Sequence, residues 1–262
     1  MSRFIDNLTK MTKAAPQRIG FRMAREAAAG PRIHLIASVA GAAASLTDGV
    51  AGADAVLLRA AKAVPGAKVL RGLAGALPDM PLGVWLGGAG SESLKAFAGA
   101  GGDFVVFPVT SQVLAIPADD KVGRVLQVEA ALSDGLLRAV EALPVDAVLT
   151  ADIFEADAPV RWQHLLRCQR LAGVLSKPLL AEVPAGVTAE ELKALWEAGV
   201  EGAVIEVSAA LPAGRLGELR REIGKMTFLP SRRRGGVEAL LPYSIGAKEA
   251  AADIDDDDDD EE

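Results

Sequence analysis

Eight short apolar runs recur along this chain, most of them followed by a Gly- or Ala-rich segment with helical spacing. That alternation limits the possible folds more than any other feature. The runs occupy residues 32–38 (RIHLIAS), 54–59 (DAVLLR), 82–87 (LGVWLG) and 103–109 (DFVVFPV), then 124–129 (RVLQVE), 146–152 (DAVLTAD), 178–183 (PLLAEV) and 202–208 (GAVIEVS). They are continuously apolar rather than alternating, the pattern of parallel strands covered on both faces. Parallel neighbours need long crossovers, and most intervals supply an amphipathic helix. The clearest is TAEELKALWEAG (188–199), with Thr188 as N-cap, Glu191 three residues on and Gly199 as the stop. Residues 133–144 and 159–176 read almost as well, whereas 111–123 predicts only a short turn of helix.

Eight strands with seven or eight helices predict a closed (β/α)8 TIM barrel, which commonly takes about 250 residues. An open doubly wound sheet is the alternative, but such sheets usually carry G-x-G-x-x-G after the first strand. The segment SVAGAAASL (38–46) has a single glycine there. The organisation expected is an N-terminal extension over 1–30 packed under or beside a barrel spanning 31–226. A flexible segment with an acidic tail follows over 227–262.

Composition narrows the setting. The net charge of −7 comes from the tail DIDDDDDDEE (253–262), whose nine acids exceed it. The rest of the chain is near neutral, without the basic stripe that nucleic acid requires. Self-repelling acids with no apolar company predict a disordered tail, a possible contact for a protein partner. No apolar run reaches the ~18 residues of a membrane span. One cysteine, Cys168, forbids an intrachain disulfide framework and fits a cytoplasmic setting.

Buried polar residues point to where a site would lie. Strand side chains alternate faces, so Glu182, Glu206 and Ser208, Thr150 and Asp152, and Glu129 interrupt runs that otherwise read as core. All fall late in their strands, at the end where barrel active sites open. Glu182, Glu206 and Asp152 are the candidate catalytic acids. Arg59, Trp85, Ser208 and Thr150 are candidate substrate contacts, with Ser38 and Thr110 as lesser candidates. Glu129, Asp152, Glu182 and Glu206 together form an oxygen set suited to Mg2+ or Mn2+. His34 lies early in its strand and reads as a satisfied core residue, and His164 lies on a helix. No strand ends in lysine, so neither a histidine-based triad nor a Schiff base is indicated.

The stretch KPLLAEVPAGVTAEELKALWEAGVEGAVIEVSAAL (177–211) resembles the seventh strand, helix and eighth strand of the aldolase-type, phosphate-binding TIM barrels. AGVEGAVI (198–205) carries the likeness best. That resemblance implies the barrel fold and chemistry at the strand C-termini. Where the group keeps phosphate-gripping glycines, this chain has Val183 and Pro184, then Glu206 and Val207, and a carboxylate at Glu206 repels phosphate.

The function expected is therefore a lyase, isomerase or aldolase-type enzyme. It would act on a small anionic metabolite through the carboxylates, with or without a divalent cation. The alternatives are an FMN- or phosphate-ligand barrel and a non-catalytic barrel used as a scaffold. A homo-oligomer is compatible with either class.

Overall fold

The computed structural model describes residues 2–13, 33–40, 49–60, 66–87, 91–116, 121–155, 158–208 and 211–227. The elements in chain order are α1 (Arg3–Lys13), β1 (His34–Ala40), β2 (Ala55–Ala60), α2 (Ala67–Ala76), β3 (Leu82–Leu86), α3 (Ser91–Gly99) and β4 (Phe104–Pro108). A single 3-10 turn at Val113–Ala115 follows, then β5 (Gly123–Val128), α4 (Asp134–Ala142), β6 (Ala147–Thr150) and α5 (Trp162–Val174). The series ends with β7 (Leu179–Val183), α6 (Ala189–Glu197), β8 (Gly202–Val207) and α7 (Arg215–Lys225). The expected acidic tail and the Arg232, Arg233 and Arg234 run lie outside the described residues.

All eight strands are parallel and pair in sequence order, and β1 closes on β8 with His34 opposite Gly202 and Ser38 opposite Glu206. The expected barrel is the observed one. Its eight strands coincide with the eight apolar runs to within about two residues at each end.

Two apolar layers follow from side-chain alternation. Ile36, Leu57, Phe104, Val106, Val125, Leu149, Leu180 and Val204 fill the interior. Leu35, Val56, Val84, Val105, Val148 and Ala203 point outward, into the layer beneath the helices. Glycine makes room inside, since a Cβ at Gly83 would strike the Phe104 ring at 2.2 Å.

The barrel floor, where the strands begin, is closed by α1. Its residues Phe4, Ile5 and Leu8 join the interior cluster, and Phe4 stacks on Phe104 with centroids 4.2 Å apart. Asp103, one residue ahead of β4, accepts hydrogen bonds from Ser2 Oγ (2.7 Å) and from the backbone N–H of Arg3 (2.8 Å) and Phe4 (2.9 Å). A carboxylate satisfying free N–H groups at a helix start stabilises it by both hydrogen bonding and the helix dipole. Helix α1 thus covers the end where the strands begin, opposite the strand C-termini.

Local signals in the sequence reappear as geometry. Thr188 and Glu191 form a reciprocal capping box on α6, and Gly199 takes φ 93° just past its end. His164 is buried, and its Nδ1 accepts the Arg161 N–H at 3.0 Å, a structural role at the start of α5. Burial pushes the Cys168 thiol up to about 12, which keeps it protonated and unreactive.

Candidate functional site

Six inward-facing side chains converge at the open end: Ser38 from β1, Arg59 from β2, Trp85 from β3, Gln127 from β5, Glu182 from β7 and Glu206 from β8. Each is two positions or fewer from the C-terminus of its strand. Arg59 is the hub. Its Nε donates to Ser38 Oγ at 2.9 Å, its Nη2 donates to Glu182 Oε1, and its guanidinium lies 5.7 Å from the Trp85 ring centroid. Trp85 Nε1 donates in turn to Gln127 Oε1 at 2.6 Å. Ser38 is buried, whereas the Arg59 and Glu182 side chains keep 31% and 22% exposure, so a ligand can reach them.

The electrostatics are unusual for an ion pair. Burial raises the Glu182 carboxyl above the usual carboxylate range. The Arg59 charge and hydrogen bond oppose that shift without cancelling it, and Glu206 adds repulsion. A carboxyl whose pKa is raised by desolvation and a like charge, beside a cation it can release, is the environment from which acid–base groups are made.

The structure does not bring the expected residues together as one group. Thr150 belongs with Val148 on the outward face of β6, not with the inward Leu149. Its Oγ1 donates to Asp152 Oδ1 at 3.2 Å, and that same oxygen accepts the Ala130 N–H at 2.7 Å. Asp152 therefore ties the chain beyond β6 to the chain beyond β5 and does not join Glu182. β6 ends at Thr150, so Asp152 is already in the loop. Glu129 and Ser208 each lie just beyond their strands and are exposed.

For the same reason the expected oxygen cage is not formed. Among the described residues no three of His, Cys, Asp and Glu are placed to hold a metal ion. Only Glu182 and Glu206 of the proposed four meet, so the residues present do not fit Mg2+ or Mn2+ as a resident ion.

Gln127 is the participant that the sequence reading left out of the site. The signal was present in strand parity, since it shares a face with Glu129, but an amide draws less notice than a carboxylate in an apolar run. A cavity of about 490 Å3 also opens at the floor, lined by Asn7, His34, Asp54, Leu77 and Met80. It lies beside the junction of α1 and β1, whose connecting residues 14–32 are outside the described set, and the hydrogen-bonded polar network is at the opposite end.

No protein-family profile matches the sequence, and no curated protein does. Solved structures do match. Thiamine phosphate pyrophosphorylase from Pyrococcus furiosus aligns with 74% of this chain and 98% of its own, at 15% identity and a TM-score of 0.52. Tryptophan synthase from M. tuberculosis aligns over 74% of this chain and 92% of its own, at 16% identity and a TM-score of 0.54. A protein from Aquifex aeolicus VF5 covers 86% of this chain and 98% of its own, at 11% identity and a TM-score of 0.54. The chain shares the fold of these TIM barrels. Likeness at this identity carries the architecture alone.

Proposed function

We propose that the barrel mouth is an active site for proton transfer on a small metabolite bearing an anionic group, in the lyase, isomerase or aldolase class. The observation that carries this reading is the Arg59–Glu182 pair, in which the carboxyl stays raised despite its cation. The barrel enzymes it resembles, thiamine phosphate pyrophosphorylase and tryptophan synthase, make catalysis on this scaffold a natural expectation.

Partner exchange gives the pair a chemical use. A substrate carboxylate or phosphate that takes the guanidinium edge now held by Glu182 leaves Glu182 without its cation. Burial and Glu206 then act unopposed, and Glu182 becomes a stronger base. It removes a proton from a carbon next to a carbonyl and later returns it to a neighbouring carbon or to a leaving group. Gln127 has its carbonyl oxygen engaged by Trp85, which fixes the amide orientation and leaves the NH2 as a donor to the developing enolate oxygen. Ser38 holds the guanidinium in place through the exchange. The absence of phosphate-gripping glycines at Val183 and Pro184 weighs against the FMN- or phosphate-ligand alternative. The lone Cys168 supports a cytoplasmic setting for such an enzyme.

The test is solvent exchange. Small oxo-acids, hydroxy-acids and their phosphorylated counterparts are incubated with the protein in D2O and followed by proton NMR. Wild type should wash out a carbon-bound hydrogen of at least one of them, and Glu182→Gln should lose that exchange. No exchange with any compound, or exchange that survives in the variant, would favour the non-catalytic scaffold.

A further inference from the structure

Among the described residues, the mouth network holds one more acid than it has cations. At the inward strand positions of that end Arg59 is the single cation, and Glu182 and Glu206 are the acids. Arg59 is already paired with Glu182. Glu206 is exposed, and no hydrogen bond or ion pair joins it to a described residue. It is nevertheless close by. Ser38, which accepts from Arg59 at 2.9 Å, stands opposite Glu206 in the β1–β8 register, and the Glu206 charge helps to raise the Glu182 carboxyl.

The described loops around the mouth do not supply the missing cation. Arg161 lies 3.9 Å from Glu155. Arg215 lies 3.7 Å from Glu218 and donates to the Val187 carbonyl at 3.0 Å. Glu129, just beyond β5, adds a further exposed acid, and Lys68 stands in the outer helix layer at the start of α2.

We infer, on the active-site reading above, that the ligand of the mouth is an α-amino acid, whose carboxylate takes Arg59 and whose ammonium takes Glu206. An anion with no positive group is a poor fit. When it draws the guanidinium edge away from Glu182, two carboxylates and the ligand's own charge share one arginine. Like charges gathered in a partly desolvated mouth repel more strongly than in water. An ammonium on the ligand removes that excess, because it brings Glu206 a partner. Geometry favours the α-amino acid, which carries both groups on one carbon. Arg59 reaches over Ser38, and Glu206 is on the strand next to Ser38, about 4.8 Å away. Burial is the largest cause of the raised Glu182 carboxyl, so Glu182 stays basic when the ammonium offsets Glu206.

Calorimetric titration tests this with the protein amino acids and phosphoserine. Each is paired with the 2-hydroxy acid of the same skeleton, so that only ammonium and hydroxyl differ. At least one amino acid should bind about tenfold tighter than its partner, the effect of one charge-assisted contact. Glu206→Gln should abolish that preference by weakening the amino acid, while the hydroxy acid binds equally well or better. Amino acids that fail to bind, hydroxy acids that bind as tightly, or a preference that survives in Glu206→Gln would each overturn the inference. In those cases, hydrogen exchange in D2O that is lost in Glu182→Gln would leave the active-site reading standing. No exchange with either set of compounds would sink both. A preference that appears only in Lys62→Ala would show that Lys62, in the connection 61–65 outside the described residues, already serves Glu206, and would refute this ligand class.

Discussion

Glu182, half-buried, and His34, buried, are ionisable side chains at the barrel's two ends, and their surroundings give them opposite uses. Glu182→Gln keeps the shape of the side chain and an oxygen for Arg59 while removing a carboxylate that burial disfavours. The protein should be as stable as wild type or slightly more so in urea denaturation at pH 7, because a carboxyl whose pKa rises on folding destabilises the fold when ionised. Glu206→Gln removes a repulsion and should leave stability equal or slightly higher, while lowering the Glu182 pKa as read by carboxyl NMR. At the floor, burial lowers His34 from 6.5 to about 4, helped by Arg220 and opposed by the Asn7 backbone and Glu201. Its Nδ1 lies 3.6 Å from Asp54, which Arg220 already engages. Between those two pH values the unfolded chain binds a proton that the folded one refuses. Stability contributed by the neutral imidazole is complete above about pH 6.5 and declines as pH falls towards 4, by on the order of 3 kcal/mol. Unfolding curves at pH 7, 5.5 and 4 should show this slope, and His34→Gln should flatten that portion of it.

At the scale of elements, the N-terminal helix is the piece whose attachment is most localised. Three hydrogen bonds from Ser2, Arg3 and Phe4 end on one carboxylate, Asp103, and Arg3 reaches the Pro78 and Asp79 carbonyls from the same turn. Asp103→Ala should cost about 1–3 kcal/mol and release the α1 amides to hydrogen exchange ahead of the strands. A retained exchange pattern would show that Phe4, Ile5 and Leu8 hold the helix unaided. Helix α6 has a cap of the opposite kind, a local one. Thr188→Ala should cost about 1 kcal/mol with no effect on α1 protection.

For the whole molecule, the tight closure of eight strands leaves the acidic tail little to contribute to folding. Nine acids in the last ten residues repel one another and bring almost no apolar surface to bury. Truncation after Ser244 should shift the melting temperature by no more than a few degrees, and a larger fall would show that residues 245–262 dock. Among the described residues no helix is long and apolar enough to cross a membrane.

Strand number, strand limits, the α6 capping box and the end at which inward polar side chains gather were all legible in the chain itself. They depend on local patterns: unbroken apolar runs mean strands covered on both faces, and Thr188, Glu191 and Gly199 act within one helix. The rim residues Arg59, Trp85, Glu182 and Glu206 were legible too, because alternation along a strand is local. What the tertiary structure alone decided was which polar residues meet. Thr150 and Asp152 are as polar and as late in their run as Glu182, yet β6 turns Thr150 outward and ends before Asp152. Whether odd or even positions face the interior is set by how each strand registers with its neighbours, not by its own composition. Gln127 joined the network because Trp85, two strands away around the barrel, reaches it. Arg59 found Glu182 across the mouth from a position 123 residues earlier in the chain. Contacts of that kind depend on barrel closure, which converts distance along the sequence into adjacency, and no window of sequence contains both partners.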